Sequence, residues 1–173
     1  MRALAQGGFD ITLWRELQAL GVPALRVPEA HGGLGLGLLD AAVAAEALGS
    51  GSVPAPFAAV AVMAPAWLQG AASNAQQAEW LPRIASGEMR VAIALDALDC
   101  APARAPSMSA NTLSGQASGV LDAAGATHGL VLLGDGRTAL VARLLVVLVL
   151  ALVVGLVFAV GLVWLITPEP PGG

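Results

Sequence analysis

Hydrophobic positions along the first half of the chain recur with a helical period. In residues 11–20, Leu13, Trp14, Leu17 and Leu20 share one face, Asp10 stands where a capping carboxylate belongs, and Gly21 supplies a stop. A glycine-rich loop over residues 27–37 leads to a second helix over residues 38–48, closed by Gly49. Residues 50–56 form a linker. A short apolar third helix, interrupted by Pro65, reads as a buried core element ending near Leu68. Ser73 followed by Gln76 forms a capping-box pattern that opens a fourth helix, and Gly87 ends it.

After Glu88 the period shortens. Residues 91–96, 111–116, 128–134 and 138–143 are apolar and separated by Gly, Asp, Ser and Pro, which predicts strands of a small antiparallel sheet. Residues 97–109, with Pro102 and Pro106, read as a loop.

The last apolar run, Leu144–Ile166, has no charge and no turn signal. As a helix it would be about 34 Å long, enough to cross a ~30 Å hydrocarbon layer. It therefore predicts one C-terminal transmembrane helix, with Trp164 as an interfacial anchor. Arg137 and Arg143 precede it and only Glu169 follows, which orients the N-terminal part to the cytoplasm and gives a single-pass membrane protein with the lipid bilayer as a partner. The expected fold class is α+β: an N-terminal helical bundle (residues 1–88), a partial antiparallel β domain (89–143), the span (144–166) and a disordered tail (167–173).

Composition narrows the function. Only 12% of residues are charged and 57% are hydrophobic, all eight basic residues are arginine, and the net charge is −4, so no basic block exists to bind nucleic acid. The lone Cys100 excludes an intrachain disulfide and a CxxC site, and no apolar leader follows Met1-Arg2. His31 and His128 lie far apart in sequence without an acid or Cys cluster at ligand spacing, so no metal is expected. The run from Gly32 to Gly37 follows no predicted strand and lacks the lysine of a phosphate loop; tight turning and close packing account for it. Ser107, Ser114 and Ser118 sit in no nucleophile motif. Asp96 and Asp99 read as solvated acids, and Cys100 has no neighbouring base.

Six stretches, in order, resemble the N-terminal half of acyl-CoA dehydrogenases. They are WRELQALG (14–21), VPEAHGGLG (27–35, beside the family's VPEEYGGLG), AAEALG (44–49), WLPRIASGE (80–88, beside WLPxxxxGE), AIALD (92–96), and LSGQ (113–116) followed by ATHGLVL (126–132). The resemblance covers residues 11–142. It implies a flavoprotein scaffold that uses FAD to oxidise an acyl-CoA thioester in fatty acid metabolism. In that chemistry a carboxylate takes the α proton while the flavin accepts the β hydride.

The sequence departs from that pattern at named positions. Leu95 replaces the flavin-contacting threonine of the family's TE motif, with Asp96 in the acid's place, and Gly119-Val120-Leu121 stand where the family carries W-I-T. The family's catalytic glutamate lies in a C-terminal helical domain that has no counterpart here. No catalytic residue and no cofactor-binding residue is therefore assigned, and FAD is not expected to bind this chain alone. The reading is a membrane-tethered acyl-CoA dehydrogenase-like fragment, inactive alone and dependent on a full-length acyl-CoA dehydrogenase-like subunit. The alternatives are a non-catalytic membrane-anchored adaptor, or a gene fragment or chimera without function. A chain that works through a partner should expose an apolar face.

Overall fold

The computed structural model describes residues 9–95, 98, 105–109, 112–117, 119–142 and the backbone of 163–166. Helix α1 (Ile11–Ala19) starts at Asp10, whose carboxylate accepts from the Thr12 and Leu13 amides at 2.8 and 3.2 Å. Its buried face is Trp14 and Leu17, one helical step apart. The Trp14 indole donates to the Gly87 carbonyl at 3.1 Å inside the core, and the Gln18 amide donates to the Ser86 carbonyl at 2.9 Å. Gly87 has a φ of +72°, and any Cβ there would collide with Gln18, so glycine is required where the chain turns beneath α1.

Helix α2 (Leu38–Ser50) begins where the Asp40 carboxylate accepts from the Gly37 amide at 2.9 Å, and of its side chains only Ala41 is buried. The next helical run starts with a wide π-helical stretch, Ala58–Met63, and continues without a break as α3 (Ala64–Ala71). Pro65 explains the wide turn. It has no N–H to donate and its ring crowds the carbonyl four residues back, so the turn before it opens out instead of ending the helix. Helix α4 (Asn74–Ala85) carries the expected capping box: Ser73 Oγ accepts from the Gln76 amide and Gln76 Oε1 accepts from the Ser73 amide.

The strands are β1 (Val91–Ala94), β2 (Ser107–Ser109), β3 (Thr112–Ser114), β4 (Val120–Leu121), β5 (His128–Leu132), β6 (Thr138–Ala142) and β7 (Val163–Ile166). Five form a sheet in the order β4-β1-β5-β6-β7, and β2 and β3 pair separately. One face packs Val91, Ile93, Leu130 and Leu140 against Trp14, Leu68, Trp80, Leu81 and Ile84 of the helices, in one continuous core. The opposite face packs Ala94, Val131, Leu133 and Ala139 beneath Met108 and Leu113 of the β2–β3 hairpin. Both faces being covered explains why β1 reads as an unbroken apolar run.

Two expectations of fold class are corrected. The sheet is mixed, because β1 and β5 are parallel. After β4 the chain crosses beneath the start of β1, where the Thr127 and His128 amides donate to the Arg90 carbonyl, and β5 then rises on the far side. The transmembrane helix expected at Leu144–Ile166 is also overturned. Residues 163–166 form β7, paired antiparallel with β6 from Val141↔Val163 to Thr138↔Ile166. Among the described residues no helix is long and apolar enough to cross a membrane. Val, Trp and Ile are strong strand formers, and beside a free sheet edge the backbone groups of this segment pair with β6. Trp164 is thus opposite Leu140 in a sheet and not an interfacial anchor. The lipid bilayer as partner and the single-pass placement with a cytoplasmic N-terminal part fall with the span. Residues 144–162 and the expected tail at 167–173 lie outside the described residues.

Replacing Trp14 by phenylalanine removes buried surface and leaves the Gly87 carbonyl without its donor, which should cost about 2–4 kcal/mol in urea unfolding. Trp67→Phe, which removes a half-buried bond to Thr138 Oγ1, should cost less. Equal losses in the two variants would contradict the placement of Trp14 at the centre of the core.

Candidate functional site

Strand β4 lies antiparallel to β1 with Ile93 opposite Leu121 and Ala94 opposite Val120. This register brings the two substituted stretches together: Leu95, at the exit of β1, and Gly119–Leu121 meet at one edge of the sheet. Leu121 is 39% exposed, and Leu98, just beyond Leu95, is exposed as well. The side chains here are hydrocarbon. A flavin ring presents carbonyl oxygens and ring nitrogens that need hydrogen-bonding partners. Among the described residues, Leu95, Leu98, Val120 and Leu121 supply none from their side chains.

Asp122 directly follows β4 in a left-handed conformation (φ +56°). Its carboxylate accepts from the Ala59 amide at 2.8 Å, in the first turn of the π-helical stretch, and so ties β4 to the helical layer. Burial pushes the Asp122 carboxyl up from its ordinary value, and the Ala59 hydrogen bond pulls it down less strongly. Asp122 also lines a small open cleft of about 190 Å3 with Pro54, Ala55, Pro56 and Ala124. Sequence reasoning passed over this carboxylate. The available signal was a single acid directly after a short apolar strand and before the small residues 123–125.

The other candidates are placed as follows. In the glycine-rich loop the amides of Gly32, Gly33, Leu34, Gly35 and Leu36 donate to the Glu29, Pro28, Ala24, Val27 and Leu25 carbonyls, and the Gly37 amide donates to Asp40. A phosphate cradle needs those N–H groups unbound, so the loop is a packing device. Gly33 lies so close to the Val27 backbone that any Cβ would overlap it. His31 ends a short 3₁₀ turn, Glu29–His31, on the surface. His128 opens β5, with Nδ1 2.9 Å from Thr127 Oγ1. Burial foremost, and then the Arg83 charge, lower its pKa, while Glu88 opposes them. No group of three His, Cys, Asp or Glu residues that could hold a metal ion is found among the described residues. Ser107 and Ser114 face each other across the β2–β3 pair. Ser118, Asp96, Asp99 and Cys100 lie outside the described residues.

With this geometry in hand, residues 1–88 match the acyl-CoA dehydrogenase N-terminal domain, just over half of the chain. The chain belongs to the acyl-CoA dehydrogenase family. The resemblance read from the sequence motifs is therefore correct. Acyl-CoA dehydrogenase IpdE2 of Mycobacterium tuberculosis is 38% identical over 90 residues, 51% of this chain and 27% of that protein. Among solved structures, a variant of the Tcur3481-Tcur3483 steroid ACAD superposes with a TM-score of 0.62 at 32% identity, covering 78% of this chain and 39% of that one. The ChsE4-ChsE5 complex from Mycobacterium tuberculosis gives 0.65 at 28% identity, covering 78% and 38%. This acyl-CoA dehydrogenase family member thus spans about a quarter of the curated relative and two fifths of the solved chains. Its fold is that of an FAD-binding family.

The raised pKa of Asp122 has a defined consequence. A carboxyl shifted upward on folding contributes stability below the unfolded value, and the contribution is lost as pH rises through the folded one. Asp122→Asn, whose amide oxygen can keep the Ala59 bond, should therefore gain on the native chain as pH rises from about 3 to 7. Thermal melts across that range test it; a gain that shrinks with rising pH would contradict the assignment.

Proposed function

We propose that this chain is an acyl-CoA dehydrogenase-type scaffold without oxidoreductase activity of its own, and that it binds another protein chain. In this reading residues 1–88 are the family's helical domain, and the strands from residue 89 onward, including Val163–Ile166, are the leading part of its β domain. The observation that carries the proposal is the hydrocarbon edge made by Leu95 and Val120–Leu121, paired on a well-formed sheet. A dehydrogenase must hold its flavin with directed hydrogen bonds, and these side chains have none to give. The helical core beside them is intact, with Trp14, Leu68, Trp80 and Ile84 buried. The scaffold is kept where the redox contacts are not.

Protein binding is supported by the relatives, one of which is a complex of ChsE4 with ChsE5. The membrane-tethered form of this reading is set aside, since β7 takes the end of the expected span. The remaining alternative, a fragment without a partner, predicts a poorly folded, rapidly degraded chain.

The purified chain should show no flavin absorbance between about 350 and 500 nm and no acyl-CoA turnover with an artificial electron acceptor. Near-stoichiometric flavin together with turnover would overturn the proposal.

A further inference from the structure

Strand β5 enters the sheet by crossing beneath the start of β1, and the crossing is fastened at Arg90. The Arg90 carbonyl accepts from the Thr127 and His128 amides at 2.8 and 3.0 Å, while the Arg90 amide donates to Thr127 Oγ1 at 3.0 Å. The Thr127 hydroxyl then has its single proton left to place. Two acceptors are in reach: the Arg90 carbonyl at 3.2 Å and His128 Nδ1 at 2.9 Å. Both lone pairs of the carbonyl are already met by amides, so the nearer imidazole nitrogen takes the hydroxyl proton. The hydrogen-bond network thus assigns His128 as neutral, with its own proton on Nε2.

Protonation of the ring is incompatible with this arrangement. An imidazolium carries a proton on both nitrogens, so Nδ1 turns from acceptor to donor. Two donors then face each other unless the hydroxyl swings its proton to the Arg90 carbonyl, which has no lone pair free. Thr127 and His128 are half-buried. An unmet polar group there costs free energy, and loosening the crossing to admit water relieves it.

The surroundings act in the same sense. Burial foremost, and then the charge of Arg83 in the last turn of α4, disfavour a positive ring, and Glu88 in the following turn opposes them. Glu88 is already paired with Arg83 at 2.9 Å. The Arg90 guanidinium is engaged elsewhere: its Nε donates to the Gly125 carbonyl at 2.6 Å, and it lies 5.1 Å over the Phe9 ring. Val91 and Ala142, opposite His128 on the two neighbouring strands, carry no charge. Residues 123–127, between Asp122 and His128, are also uncharged.

We infer that Thr127 and His128 form an acid-sensitive fastener of the β1–β5 crossing, closed while the hydroxyl donates to the neutral imidazole and released when the imidazole takes a proton. The folded pKa of His128 lies below the ordinary value of about 6.5. The stabilisation is therefore fully present above that value and is lost as pH falls from it through the folded pKa. The fastener is independent of the function proposed above.

Nitrogen-15 NMR of the full chain reads the tautomer and the titration, with His31→Gln to assign the two histidines. At about pH 7.5 His128 should show the Nε2–H tautomer, and it should titrate below the ordinary histidine value. Thr127→Val removes the donor to Nδ1, so His128 should then titrate at a higher pH; Thr127→Ser, which keeps the hydroxyl, should restore the native midpoint. In hydrogen exchange corrected for intrinsic rates, protection of the Thr127 and His128 amides should fall at least about threefold relative to Ile84 between about pH 7 and 5. His128→Gln, whose side-chain carbonyl accepts the hydroxyl proton at either pH, should abolish that fall. An Nδ1–H tautomer, a midpoint that Thr127→Val leaves unmoved or lowers, or protection that is constant in the native chain or still falls in His128→Gln would each overturn the inference.

Discussion

The indole of Trp14, buried to 1% exposure, donates to the carbonyl of Gly87 at the point where the last helix gives way to the first strand. That bond pins α1 against the turn between two layers, and a buried carbonyl left without a donor would cost about 1–3 kcal/mol. Around it Leu17, Leu68, Trp80, Leu81 and Ile84 of the helices meet Val91, Ile93, Leu130 and Leu140 of the sheet. Neither layer could bury these side chains without the other. Helices and leading strands therefore form one packed unit, although the chain spans only about two fifths of the solved chains it resembles.

The same packing decides what the site can and cannot be. The register of β4 on β1 places Leu95 beside Gly119–Leu121, so the two departures from the family pattern act on one surface. Asp122, which directly follows β4, is committed to the Ala59 amide and works as a tie between layers. The glycine-rich loop spends its amides on its own backbone, which stiffens the start of α2.

Local signals in the sequence were legible and tertiary ones were not. The Asp10 cap, the Ser73–Gln76 capping box and the stops at Gly21 and Gly87 each involve atoms within a few residues, and the structure has them. Pro65 marked a disturbance, but whether a helix breaks or widens depends on packing, and here Ala59, Val60 and Ala64 before it and Leu68 after it are buried. The parallel pairing of β1 with β5 depends on a crossing beneath Arg90 that no periodicity encodes. The run ending at Ile166 was read from length and hydropathy alone. Its last four residues are in a strand because β6 offers them an edge, which is information held elsewhere in the chain. Asp122 escaped notice because its significance lies in a partner 63 residues away in the sequence.

Native-state hydrogen exchange tests most directly whether helices and strands are one cooperative unit. The amides of Ile84 in α4, Ile93 in β1 and Leu140 in β6 should exchange only through global unfolding, with the same opening free energy and the same denaturant dependence. Strand amides that open at a free energy lower by ~2 kcal/mol or more, while Ile84 stays protected, would show a sheet that does not share the core of the helices and would contradict the account.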